Sequence, residues 1–91
     1  MTFRTMRRCR RSEGEQRFIW AALEIWNRLP AQSREAAREL IASISRTAPE
    51  GRALFDVLAR GISPQAVCAR TGVQLSRLYQ MRCEFYNRFW P

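Results

Sequence analysis

Sixteen arginines, with no lysine and no histidine, set the chemistry open to this 91-residue chain. A guanidinium is a permanent cation whose planar fork of donors matches phosphate and carboxylate oxygens and does not shuttle protons. Without histidine there is no Ser-His-Asp triad and no imidazole metal ligand; without lysine there is no Schiff base or P-loop. Asp56 is the single aspartate. Cys9, Cys68 and Cys83 form no CxxC pair, and three thiols do not complete a four-ligand zinc site. The expectation is a non-enzymatic protein with no catalytic residue, metal or cofactor. Cys68 and Cys83 read as small core residues, and Cys9 as a loose thiol in an arm.

The net charge of +8 is distributed unevenly. Residues 1–17 carry +4, from Arg4, Arg7, Arg8, Arg10, Arg11 and Arg17 against Glu13 and Glu15. Residues 18–60 carry only +1, and residues 61–91 carry +3, from Arg70, Arg77, Arg82 and Arg88 against Glu84. A neutral middle with basic ends is the arrangement of a scaffold that holds a polyanion at its ends.

The elements that position these cations read as helices. Residues 1–12 lack a helical period and repel one another electrostatically, which predicts a disordered basic arm. A first helix is predicted over roughly Glu13 to Arg28, with Phe18, Ala22, Trp26 and Leu29 along one stripe and Ile19 and Leu23 beside it. It ends at Leu29-Pro30. Ser33 reads as the N-cap of a second helix reaching about Arg46 and burying Ala37, Leu40, Ile41 and Ile44. Thr47-Ala48-Pro49-Glu50 reads as a capping box for a third helix, which buries Leu54, Val57 and Leu58 and stops at Gly61. Phe55 lies off that stripe, toward a neighbouring helix or a partner. No stretch alternates with period two, so the class is all-α: one domain over residues 13–91, a compact bundle of about five helices.

Residues 62–83, ISPQAVCARTGVQLSRLYQMRC, hold the most informative pattern. Ser63-Pro64 starts a short helix, Thr71-Gly72-Val73 interrupts it, and another helix begins near Leu75. Gly72 suits the positive φ of a tight turn. Cys68 is small enough for close helix approach, while Val67, Val73, Leu78 and Met81 point inward. The ordered set resembles the helix-turn-helix superfamily of transcription regulators, through Cys68, Val73 and Leu78 around the turn glycine. Residues of about 52–89 are also similar to the DNA-binding region 4 of sigma factors, from the helix ending in Gly61 through the Ser63-led short helix. Leu75 departs from the pattern, standing near the start of the second helix where a polar residue is usual.

The resemblance implies a helix-turn-helix at about residues 63–83 and a sequence-specific DNA-binding regulator of phage or mobile-element type. It places Gln74, Ser76, Arg77, Tyr79 and Gln80 on or beside a recognition helix in the major groove, where Gln suits adenine and Arg suits guanine. Ser63 and Gln65 are implied phosphate contacts at a helix N-terminus, with Arg70 and Arg82 as further ones. Arg4, Arg7, Arg8, Arg10 and Arg11 would follow an adjacent minor groove or the backbone.

The aromatic C-terminus supplies a second candidate surface. Phe85 and Phe89 continue the Leu78–Met81 stripe, whereas Tyr86 and Trp90 lie with Leu75 and Tyr79. Tyr86, Phe89 and Trp90 are therefore candidate interaction residues for a homodimer, with Trp90 folding back onto Trp20 or Trp26 as the monomeric alternative. The rival function is a protein-interaction module of the same fold, binding RNA polymerase, another regulator or a defence-system protein. No apolar run approaches the roughly 20 residues of a membrane span. The first sixteen residues lack the apolar segment of a secretory signal, so a cytoplasmic location is expected.

Overall fold

Ser12 opens the first helix, and it does so reciprocally. Its Oγ accepts from the Glu15 amide (3.2 Å), while the Glu15 carboxylate accepts from the Ser12 amide (3.0 Å), satisfying two donors that a helix start otherwise leaves free. The computed structural model describes residues 3–91, with five α-helices and no strand among them. These are α1 (Glu13–Glu24), α2 (Ala31–Ile44), α3 (Ala48–Ala59), α4 (Pro64–Thr71) and α5 (Leu75–Arg88), with a 3₁₀ turn at Trp26–Arg28. None of these helices is long and apolar enough to cross a membrane.

The first helix is shorter than its apolar spacing predicts. Ile25 leaves helical geometry (φ −106°, ψ 41°), and the following 3₁₀ turn swings Trp26 inward, where its ring meets Phe55 edge-on at 5.4 Å. Phe55 thus packs within the domain. The buried face of α1 is Gln16, Ile19 and Leu23, and Phe18 lies outside it, 55% exposed. Leu29 is extended, as expected before Pro30.

The second helix starts at Ala31, two residues before the expected cap at Ser33, and no side chain caps it. Instead Arg34 reaches back to the Asn27 and Leu29 carbonyls (3.1 and 3.0 Å), tying the preceding turn to the helix. Ala37, Ile41 and Ile44 are buried; Leu40 is only partly so. Thr47 caps α3 through the Glu50 amide (3.3 Å), but the reciprocal half is displaced by one residue. The Glu50 carboxylate accepts from the Arg46 amide (2.8 Å). Gly61 then turns the chain at φ +64°.

Val67, Leu78, Met81 and Phe85 are fully enclosed and join α4 and α5 to Ile19, Ala37 and Leu54 of the other helices. Tyr86 is also enclosed, and burial pushes its phenol up to about 12 from an ordinary value of 10. The unfolded chain ionises this phenol near pH 10 while the folded one keeps its proton. Stability is therefore intact below pH 10 and declines as pH rises toward 12. Denaturant melts across that range should show this decline, and Tyr86→Phe should flatten it.

The largest departure from expectation is the N-terminal segment. Of residues 1–12, predicted to be a disordered arm, 1–2 lie outside the described residues and 3–12 lie as a strap across α1 and the C-terminal half of α5. Gln16, 1% exposed, accepts from the Met6 amide (2.8 Å) and donates to the Met6 and Arg11 carbonyls (3.2 and 2.9 Å). Asn87 Oδ1 accepts from the Arg10 amide (2.7 Å) and from Cys9 Sγ (3.1 Å), so Cys9 is a held thiol. Phe3 meets Trp20 edge-on at 5.8 Å. Phe3, Met6 and Cys9 recur every third residue and turn inward, while the arginines between them turn out. The strap turns at Arg7–Arg8, where the Cys9 amide donates to the Met6 carbonyl (3.4 Å), and its inward contacts offset the repulsion among its charges.

Candidate nucleic-acid interface

The α4–α5 pair is shaped by its short connection. Ser63 Oγ caps α4 through the Ala66 amide (3.3 Å), and Pro64 occupies the first turn, where its missing N–H has no cost. Eight residues later the chain reverses through Gly72 at φ +78°, ψ 2°, with the Gly72 amide bonded to the Cys68 carbonyl (2.9 Å). A Cβ at Gly72 would meet open space, so the glycine is required by the left-handed backbone and not by crowding. Val73 and Cys68 pack against the core, and α5 begins at Leu75.

The sequence-derived site residues divide into three groups in space. Gln74, Ser76 and Gln80 are exposed on α5 and the turn before it. Ser63, Gln65, Tyr79, Arg82 and the strap's Arg4 converge on one cleft of about 420 Å³. Gln65 Nε2 lies 3.5 Å from the Tyr79 hydroxyl, and the Arg82 guanidinium stands over the Tyr79 ring at 5.0 Å. Arg7, Arg8 and Arg10 form the third group, exposed along the outer side of the strap. No carboxylate lies within 4.0 Å of Arg4, Arg7, Arg8 or Arg10 among the described residues.

Three further arginines are engaged by the protein itself. Arg77, expected on the reading face, is only 16% exposed. It holds both Glu50 oxygens (3.2 Å each), the Ile44 carbonyl (3.2 Å) and Gln80 Oε1 (3.2 Å). Arg70 is paired with buried Asp56 at 2.7 Å. Arg11 donates to the Tyr86 and Phe89 carbonyls (3.1 Å each) and pairs with Glu15 (3.5 Å). Its positive charge thereby meets the last carbonyls of α5, which have no helical partner.

The C-terminal candidates also separate. Tyr86 and Phe89 are enclosed in the core and present no surface to a partner. Their positions follow from the Phe85–Phe89 stack at 4.8 Å and the Phe85–Tyr86 contact at 6.4 Å, which draw that side of α5 inward. Trp90 is 52% exposed and folds back onto α1, meeting Phe18 (5.2 Å, stacked) in place of Trp20 or Trp26.

Spacing along the chain did not reveal Trp20 and Arg60, which line the same cleft from α1 and the end of α3. Nothing local marks them. A partly buried tryptophan on a helix reads as core until the opposing strap is placed. Comparison with known protein families, curated proteins and solved structures finds no match to this chain. Its functional reading rests on its own side chains.

Proposed function

We propose that the protein is a sequence-specific DNA-binding transcriptional regulator of phage or mobile-element type. In this reading α4, the Gly72 turn and α5 act as a helix-turn-helix, with α5 in the major groove. The observation that carries it is the row of outward, uncompensated arginines on the strap, Arg4, Arg7, Arg8 and Arg10, beside the exposed polar residues of α4 and α5. Cations without carboxylate partners suit phosphate oxygens, and a strap already in place would lose little entropy on binding. Gln74, Ser76 and Gln80 would address base edges, and Ser63, Gln65, Arg82 and the strap would address the backbone. Arg77 is omitted from the reading set because Glu50 and Ile44 occupy it.

Fluorescence anisotropy against duplex DNA at two salt concentrations tests the reading. Random duplex should bind with a Kd in the micromolar range or tighter at low salt, and log K should fall by about 0.9 per log unit of salt for each phosphate engaged. Arg7→Ala with Arg8→Ala should reduce that slope by about 2 and leave the thermal midpoint unchanged. Gln74→Ala with Gln80→Ala should relax preference for a selected site without altering the slope. Absence of binding at low salt overturns the proposal.

The second reading, a protein-interaction module or homodimer, is favoured by the exposed Phe18–Trp90 stack. Large aromatics at a surface are enriched at interfaces. Its mark would be a stoichiometric complex that survives nuclease and high salt.

A further inference from the structure

Among the described residues, Arg82 is a cation whose buried Nε finds no acceptor. It is half-buried on α5, its Nε is enclosed without a hydrogen-bond partner, and no carboxylate lies within 4.0 Å among the described residues. Its guanidinium stands over the face of Tyr79 at 5.0 Å. An enclosed donor without an acceptor is destabilising and calls for an explanation such as a bound anion.

The cleft that Arg82 lines is suited to such a ligand. Its volume of about 420 Å³ falls within the roughly 300–1,000 Å³ of small-molecule sites. Arg4 enters from the strap and Arg60 from the end of α3; Arg60 leans on Asp56 at 3.7 Å. The N-terminus of α4 adds a backbone donor. Pro64 has no N–H, and the Ala66 and Val67 amides are bonded to Ser63, which leaves the Gln65 amide free for an anion. Trp20 and Tyr79 contribute aromatic surface. Glu24 also lines the cleft, and its charge opposes a ligand with several phosphates.

We infer that this cleft binds a small phosphorylated aromatic ligand, a nucleoside monophosphate by chemical class. Its phosphate meets Arg82, Arg4 and the Gln65 amide, and its ring lies against Trp20. A concave site between strap and helices admits a free nucleotide, whereas the convex backbone of a duplex reaches only its rim. Because Arg4, Ser63, Gln65 and Arg82 are also proposed to meet the DNA backbone, nucleotide and duplex exclude one another. That last clause alone rests on the DNA-binding reading.

The test is a titration of the full chain, followed by amide and indole NMR shifts, with AMP, adenosine and inorganic phosphate as separate probes. AMP should shift the Trp20 indole and the Gln65 amide and bind about tenfold tighter than either of its halves. Arg82→Gln should weaken AMP about tenfold, and Glu24→Gln should tighten it. Arg4→Ala, at an exposed residue with no ion-pair partner among the described residues, should weaken AMP in a protein that folds normally, which covers the case of an unfolded Arg82 variant.

No shift at these residues with millimolar AMP overturns the inference, as does inorganic phosphate binding as tightly as AMP. AMP binding that depends on Arg82, in a protein that binds no duplex, supports the cleft and removes the DNA reading. Duplex binding that depends on Arg82, without AMP binding, overturns the inference and leaves the DNA reading standing.

Discussion

Removal of the chain through Arg11 is expected to lower the thermal midpoint by about 10–20 °C, an effect far beyond that of trimming a free arm. The estimate follows from what the strap covers. Gln16 loses all three of its side-chain hydrogen bonds, the last carbonyls of α5 lose Arg11, and Met6 and Cys9 leave the edge of the core. With water able to reach part of the exposed surface, the loss comes to about 2–3 kcal/mol. That is a large fraction of the roughly 5–10 kcal/mol that holds a domain of this size.

The same truncation removes the four outward arginines of the proposed interface, Arg4, Arg7, Arg8 and Arg10, so its effect on DNA binding alone cannot separate scaffold from contact. Point variants do. Gln16→Ala should lower the midpoint and leave the outward arginines present, whereas Arg7→Ala with Arg8→Ala should do the reverse. A truncated protein that melts within about 2 °C of the full chain would mean that the strap does not hold in solution.

The contrast between the strap and the α4–α5 pair explains what could be read along the chain. Ser63-Pro64, Gly72 and the inward Val67, Leu78 and Met81 are local devices, whose spacing determines a helix start, a left-handed turn and a buried stripe. The cap and the turn find their hydrogen-bond partners a few residues away. Gln16 is the opposite case. A glutamine on a helix reads as solvated, and its burial becomes intelligible only once the Met6 backbone, ten residues earlier, is laid beside it. Exposed Phe18 is the complement of that swap. Net charge pointed to disorder in residues 1–12 because repulsion is counted from composition, while the threefold spacing of Phe3, Met6 and Cys9 is neither helical nor strand-like. The candidate site was legible in the same uneven way. Residue types located the cations, but whether a guanidinium faces water or a helix end depends on contacts far along the chain.

Two of those guanidiniums share one design. Arg11 and Arg77 each pair with the glutamate in the first turn of one helix, Glu15 of α1 or Glu50 of α3, and donate to carbonyls at the end of another, α5 or α2. Each joins a negative side chain and a negative helix terminus through one cation. Arg77 therefore acts as a clasp between α2, α3 and α5. This role is independent of any nucleic acid.

Arg77→Ala is accordingly expected to cost about 2 kcal/mol, because at a mostly buried position it leaves Glu50 with the Arg46 amide alone and takes the guanidinium donor from the Ile44 carbonyl. The thermal midpoint should fall by about 10 °C. The pH dependence identifies the cause. The Arg77 hydrogen bonds, followed by the Arg46 amide, hold the Glu50 carboxyl below its ordinary value of 4.5. The unfolded chain thus takes up the proton first as pH falls. The contribution of Glu50 is complete above pH 4.5 and is lost as pH drops through the lower folded value. Melts of the wild-type chain should decline across that acid range, and Glu50→Gln should flatten the decline while reducing stability at neutral pH. An Arg77→Ala protein that melts like wild type at neutral pH and still loses sequence preference on DNA would return Arg77 to the reading face and remove the clasp.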